Sequence, residues 1–123
     1  MYIIEKKFHF EAGHILTYHD GKCARPHGHN YVLVIKVKGE TLNSSGPKKN
    51  MIYDFQNITD IVKPMIKEYL DHHWLNDTLN TDSPTAEYIA KWIFEYLKDK
   101  ISYLYSITIE ETETAKATYI ETF

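Results

Sequence analysis

One cysteine, four prolines and five glycines in 123 residues leave few covalent or conformational devices to build with. The lone thiol, Cys23, cannot close an internal disulfide, so this is not a disulfide-stapled scaffold. No stretch approaches the roughly 18 apolar residues that a membrane-spanning helix needs, which excludes a membrane partner of that kind. Positive charge is also scarce. Fourteen Lys and Arg against 17 Asp and Glu give a net charge of -3, which argues against nucleic acid as a general partner. The opening Met1 to Lys7 lacks the long apolar core and cleavage site of a secretory signal, so a cytoplasmic location is expected. There is no internal repeat, low-complexity stretch or linker, and one domain over 1-123 is expected.

What remains is an ordinary globular composition, 43% hydrophobic and 25% charged. A chain of this length buries roughly two thirds of its unfolded surface. That supports a real core but leaves little room for a deep private cleft, so a site between subunits is a natural expectation.

Hydropathy alternates first. A strand is expected over Tyr2 to Phe10, a polar segment over Ala12 to Pro26, and a second strand over Tyr31 to Val37, where Tyr31, Leu33, Ile35 and Val37 share one face. Turn residues mark a loop over Gly39 to Lys49. From Asp54, placed to cap, the period becomes helical: Phe55, Ile58, Ile61, Val62, Met65, Ile66, Tyr69 and Leu70 form one stripe, with Pro64 inside it. Ser83-Pro84 reads as the start of a second helix with a stripe of Tyr88, Ile89, Trp92, Ile93, Tyr96 and Leu97. Strands over Tyr103 to Glu111 and Ala115 to Thr122 complete a β-β-α-α-β-β order. The economical α+β solution is a four-stranded antiparallel sheet with both helices on one face.

His27-Gly28-His29 stands just before the second strand. In extended backbone both imidazoles project from one face. His14, twelve residues earlier, is folded back onto that end if the first two strands pair antiparallel. Three neutral imidazoles suit zinc, and three protein ligands leave a coordination position open, as in catalytic rather than structural sites. A polar turn fits the same spacing.

Cys23 lies in a polar loop with Lys22 and Arg25 beside it, surroundings that favour thiolate. It could ligate the metal, but a fourth protein ligand would close the site, so a proton acceptor is the preferred role. Asp71-His72 has the form of an acid-base pair, in which the carboxylate fixes one imidazole tautomer. From the residues alone the plainer account, His72 and His73 meeting the negative end of a helix, is the stronger. Glu111 ends the row Tyr103, Tyr105, Ile107, Ile109, where a carboxylate could receive two parallel N-H donors of a ligand. It fits a solvated strand end equally well.

In this order and spacing, Phe10-Glu11-Ala12-Gly13-His14, Cys23-x3-His27-Gly28-His29, Ile52-Tyr53-Asp54-Phe55, Leu70-Asp71-His72-His73, Pro84-Thr85-Ala86-Glu87 and Glu111-Thr112-x-Thr114-Ala115 resemble the 6-pyruvoyltetrahydropterin synthase / 6-carboxytetrahydropterin synthase family along almost the whole chain. The resemblance implies the tunnelling fold, whose protomers join sheets into an oligomeric barrel, commonly a homohexamer of two stacked trimers with sites between subunits. It implies Zn2+ on His14, His27 and His29, Cys23 as proton acceptor, His72 with Asp71 as relay, and Glu111-Thr112 at the pterin ring. Arg25 and Lys22, with Lys48 and Lys49, are the candidates for phosphate contacts.

Three residues between Cys23 and His27, together with Leu75-Asn76 after the Asp71-His72 motif, resemble the bacterial 6-carboxytetrahydropterin synthases of queuosine synthesis. A folate-pathway branch carries glutamate in place of the cysteine. The implied reaction is a zinc-dependent lyase reaction on 7,8-dihydroneopterin triphosphate that gives 6-carboxy-5,6,7,8-tetrahydropterin, triphosphate and acetaldehyde. The alternatives are triphosphate elimination alone, giving 6-pyruvoyltetrahydropterin, and a non-catalytic, zinc-stabilised oligomer that binds pterins or purines. Two departures from the family pattern stand out: Ile15 follows the first histidine where arginine is common, and the loop from Gly39 to Met51 is long.

Overall fold

The alternation in the first forty residues becomes one long antiparallel hairpin. The computed structural model of the protein describes residues 1-122, and β1 (Tyr2–His14) pairs with β2 (His27–Gly39) from Tyr2 opposite Gly39 to His14 opposite His27. Both strands run further than hydropathy indicates. Glu11, Ala12, Gly13 and His14 are poor strand formers by side chain, yet they extend β1 because partners hold them on both sides. On the inside, Ala12 faces His29 and Gly13 faces Gly28; on the outside, Gly13 bridges to Trp74. Pairing with neighbours outweighs intrinsic preference.

The first helix, α1 (Phe55–Met65), begins where its cap predicts, with the Asp54 carboxylate accepting from the Gln56 N-H at 2.9 Å. Lys48 forms an ion pair with the same carboxylate. Pro64 does not end the helix. The next turn, Ile66–Leu70, is π-helical, which accommodates the missing N-H and the ring. A short helix, α2 (Leu75–Thr78), follows, then α3 (Ala86–Leu97). The cap of α3 is Thr85, whose hydroxyl accepts from the Tyr88 N-H, rather than Ser83. Pro84 stands before the helix, leaving its carbonyl free for another use.

The chain closes with β3 (Leu104–Thr112) and β4 (Ala115–Ile120), giving an antiparallel sheet in the order β1-β2-β3-β4. Two irregularities redirect β3. Near its start Ser106 pairs with Lys36 but Leu104 with Val37, so Tyr105 is the extra residue and Leu104, not Tyr105, joins the core side. Tyr103 lies outside the strand at φ 62°, exposed. The expected row of Tyr103, Tyr105, Ile107 and Ile109 is therefore corrected to Leu104, Ile107 and Ile109. Near the other end Glu110 pairs with Lys116 and Thr112 with Ala115, which makes Glu111 the bulged residue.

One sheet face packs under the helices. Leu33, Ile35, Val37, Ile107 and Ile109 meet Ile58, Val62 and Met65 of α1 and Ile89, Ile93 and Leu97 of α3, all of them buried. Each such side chain contributes about 1.5–3 kcal/mol of burial free energy. Phe55 and Tyr88, expected in the stripes, are exposed, while Ala90 and Phe94 join the core. The consequence for function is positional. The same face that carries the core in mid-sheet carries His14, His27 and His29 at its end. No helix among the described residues is long and apolar enough to cross a membrane.

Candidate metal centre

Register alone brings the three histidines together. His27 and His29 point the same way because they are two apart in β2, and His14 faces His27 across the ladder. Ring centroids lie 4.4 Å (His14–His27), 5.1 Å (His14–His29) and 5.0 Å (His27–His29) apart, with each pair edge-on. One nitrogen from each ring falls within 4.8 Å of the others, and no second group of this kind exists among the described residues. Gly28 permits the approach: a Cβ there would meet the Ala12 carbonyl oxygen at 3.2 Å, a tight contact with a backbone atom of the paired strand.

The surroundings select which nitrogens are presented. His14 Nδ1 lies 2.9 Å from the Pro84 carbonyl and His27 Nδ1 lies 2.7 Å from the Arg25 carbonyl. A carbonyl only accepts, so both Nδ1 atoms carry the proton and both Nε2 atoms keep a free lone pair, the usual arrangement behind a metal-binding histidine. His29 Nε2 is buried with no hydrogen-bond partner. An orphaned buried nitrogen is costly unless something outside the chain satisfies it. Burial also pushes the His14 and His29 imidazoles below their ordinary value of 6.5, with His27 adding like-charge repulsion at both. Both are thereby held in the neutral state a metal requires. These three residues fit a divalent metal.

Two neighbours complete the centre. Tyr31 lies fully buried beneath it, stacked on Phe10 at 4.9 Å, with its hydroxyl 3.3 Å from His14 Nδ1. Burial drives this phenol far above its ordinary value, so it stays neutral. Glu111, re-aimed by its bulge, brings Oε1 to 3.8 Å from His29 Nε2.

The second predicted group sits at the outer edge of β1. Asp71 Oδ2 lies 2.9 Å from His72 Nδ1, and Asp71 Oδ1 accepts from the Glu11 N-H at 2.9 Å. These bonds have opposite effects on the pair: the Glu11 N-H and then His72 hold the Asp71 carboxyl below its ordinary range, while Asp71 raises His72. His72 adopts φ 60°, in the left-handed region, and donates its own N-H to the Glu11 carbonyl. The Gly13 N-H donates to the His73 carbonyl, and the Asn76 amide both accepts from the Ile15 N-H and donates to the Ile15 carbonyl, each at 2.9 Å. A segment of six residues is thus fastened along Glu11 to Ile15, the stretch that also delivers His14.

Cys23 occupies a tight turn (Lys22–Ala24), half-buried, its carbonyl accepting from the Leu16 N-H at 3.0 Å. Arg25 and Thr112 are exposed. The structure therefore gathers His14, His27, His29 and Glu111. Among the described residues no hydrogen bond or ion pair joins Cys23 or Asp71-His72 to them. The sequence reading missed Tyr31 as the floor of the centre and the Pro84 carbonyl as the brace of His14. Tyr31 had one available signal, its place two residues after His29 on the same face.

The comparisons with known proteins agree on the family. A family model described as 6-pyruvoyl tetrahydropterin synthase matches residues 3–122. The 6-carboxy-5,6,7,8-tetrahydropterin synthase of Synechocystis sp. is 42% identical over 120 residues, spanning 97% of this chain and 93% of that protein. The protein of the same name from Haemophilus influenzae is 36% identical over 142 residues, spanning 98% and 100%. The solved structure of Caenorhabditis elegans 6-pyruvoyl tetrahydropterin synthase matches with a TM-score of 0.82 at 31% identity, covering 98% of this chain and 96% of that one.

Proposed function

Because the chain belongs to the 6-pyruvoyl tetrahydropterin synthase family, we propose that it is a zinc-dependent lyase converting 7,8-dihydroneopterin triphosphate and one water to 6-carboxy-5,6,7,8-tetrahydropterin, triphosphate and acetaldehyde. The observation that carries this reading is the set of three imidazoles whose nitrogens converge within 4.8 Å, with His29 Nε2 buried and unsatisfied, beside a re-aimed carboxylate.

His14, His27 and His29 hold the metal. Zinc, when bound, supplies Lewis acidity toward the hydroxyl oxygens of the substrate side chain. Glu111 accepts two parallel N-H donors from the aminopyrimidine edge and so orients the ring, with Thr112 beside it. Cys23 removes a proton from the side-chain carbon next to a hydroxyl. His72 gives and takes protons at neighbouring carbons, and Asp71 fixes its tautomer and steadies its protonated form. Arg25 meets the phosphate tail.

The distribution of these groups within one chain supports assembly. Before Glu11 the outer edge of β1 has no strand partner within the chain, nor has the outer edge of β4, and unpaired strand edges are natural joining surfaces. Protomers join through them into a barrel, two trimers stacking as a homohexamer in the cytoplasm, and each site is completed between subunits.

Incubating the purified protein with dihydroneopterin triphosphate and weighing the products tests this. Carboxytetrahydropterin, triphosphate and acetaldehyde are expected; an untouched substrate would reject the lyase reading. The likeness to the Caenorhabditis elegans 6-pyruvoyl tetrahydropterin synthase favours a second reading, elimination of triphosphate alone. Triphosphate without acetaldehyde would select it.

A further inference from the structure

We infer that His73 is a positioning residue: it locks the turn on which His72 stands and so keeps that imidazole beside Asp71. The proton-transfer role of His72, which gives this brace its purpose, rests on the lyase reading above.

His72 holds a backbone conformation that its residue type resists. At φ 60° it lies in the left-handed region, which glycine enters freely and a residue with a Cβ does not. Such a conformation persists only where the surroundings over-determine it. Three bonds made by His73 do this here, and the first fills a gap in the helix ladder. In the π-helical turn Ile66–Leu70 the Asp71 N-H donates to the Ile66 carbonyl at 2.8 Å. The His72 N-H, next in line, leaves the turn and donates to the Glu11 carbonyl of β1 at 2.6 Å. Those are the two N-H groups that an α or a π ladder would give to the Lys67 carbonyl. The His73 side chain takes their place. Its Nε2 lies 3.0 Å from the Lys67 carbonyl, and because a carbonyl only accepts, Nε2 carries the proton. A donating Nε2 is available in the neutral and the charged ring alike. The His73 backbone supplies the other two bonds: its N-H donates to the Leu70 carbonyl at 3.2 Å, and its carbonyl accepts from the Gly13 N-H at 3.2 Å. His73 thus ties the helix end, the turn and β1 together immediately after the strained residue.

The test compares His73→Ala with His73→Gln in the zinc-loaded, full-length protein. Alanine removes the donor; glutamine loses the ring but keeps an N-H donor at similar reach. The His72 ring protons are titrated by NMR, with Asp71 and, at 3.8 Å, Glu11 the acidic groups that face them. Losing a neighbour that can carry positive charge would by itself raise the His72 midpoint. In His73→Ala the midpoint should instead fall toward 6.5, because a loosened turn lets the imidazole swing away from Asp71. Exchange of the His72 backbone N-H with solvent should quicken about fivefold, the scale of one net hydrogen bond. For dihydroneopterin triphosphate, kcat should drop about tenfold or more with KM little changed, as for a misplaced catalytic group. Zinc content should not move, since the His73 side chain is bonded to Lys67 and not to a ligand. His73→Gln should keep the midpoint, the exchange rate and kcat near native.

A native midpoint and native exchange in the alanine variant would overturn the brace and leave the lyase reading standing. So would a fall in kcat with the midpoint unmoved, which would make His73 act on the substrate itself. A glutamine variant that behaves like alanine would overturn it too, by reducing the ring to packing. In the native protein, 15N spectra of a neutral His73 ring with its proton on Nδ1 would do so without any variant. A midpoint and an exchange rate that move in alanine and return in glutamine, in a protein that never turns over the pterin substrate, would uphold the brace and reject the lyase.

Discussion

Histidine meets opposite surroundings at two places on the same strand. At the end of β1, His14 and its partners His27 and His29 are packed against one another over Tyr31, and burial holds His14 and His29 neutral. At the outer edge of β1, His72 stands largely in solvent with Asp71 on its Nδ1, and the carboxylate favours its charged form. One environment makes an imidazole a lone-pair donor; the other makes it a proton carrier. Neither property belongs to the side chain itself. Both come from what the backbone puts beside it.

The largest expected effect comes from breaking the buried half. Changing His27 to alanine removes one of three nitrogens and the brace to the Arg25 carbonyl. Metal analysis of the purified variant should show zinc falling well below stoichiometric, with turnover lost alongside. Full zinc retention would reject the ligand set. Next in size is Cys23→Ala. It leaves the three imidazoles in place, so zinc should stay while turnover falls at least about 100-fold, the usual scale for losing a positioned acid-base group. Near-native turnover would remove Cys23 from the chemistry.

The connection between the two regions is a separate target. Asn76→Ala severs both bonds to Ile15 and leaves a partly buried N-H and C=O to find water. A loss of about 2 kcal/mol in unfolding stability is expected, seen as a lower midpoint in denaturant. If Asn76 also positions His14, a cobalt-substituted sample should show a shifted visible spectrum. A changed midpoint with an unchanged spectrum would confine Asn76 to stability.

Much of this was readable in advance, for reasons tied to particular residues. Leu33, Ile35 and Val37 alternate, and Ile58, Val62 and Met65 recur at helical spacing, because a sheet with one buried face and helices with one buried stripe leave those periods in the chain. His27-Gly28-His29 was readable because a two-residue period in a strand translates directly into a shared face. What hydropathy could not carry was anything decided by pairing. β1 continues through Ala12 and Gly13 because residues 71 to 74 cover its outer edge, and nothing in Glu11 to His14 announces a partner sixty residues away. The face of Tyr105 and the aim of Glu111 were set by bulges, which alternation does not record. Ser83-Pro84 reads as a helix opening because serine caps and proline suits the first turn, yet the cap is Thr85. The fold instead spends the Pro84 carbonyl on His14, a use invisible until both ends are in place.

The smallest expected effect probes the exposed half alone. The Glu11 N-H and then His72 lower the titration of Asp71, and Asp71 raises that of His72, so the ion pair exists from below the ordinary range of the carboxyl to above 6.5, the ordinary value of the imidazole. The His72 contribution to stability is complete below 6.5 and disappears as pH rises through the raised value; the Asp71 contribution is complete above its ordinary value of 3.8 and disappears as pH falls through the lowered one. Asp71→Asn removes the charge and keeps one carbonyl oxygen, for which the Glu11 N-H and His72 Nδ1 then compete. Titrating the His72 ring protons by NMR should then give a midpoint close to 6.5 instead of the raised one, with only Glu11, 3.8 Å away, still favouring the charged form. Since both side chains face solvent, global stability should hardly move. The alkaline limb of the turnover profile should shift to lower pH in step with the NMR midpoint. An NMR shift without that movement would mean that the pair titrates as described but carries no proton in the reaction.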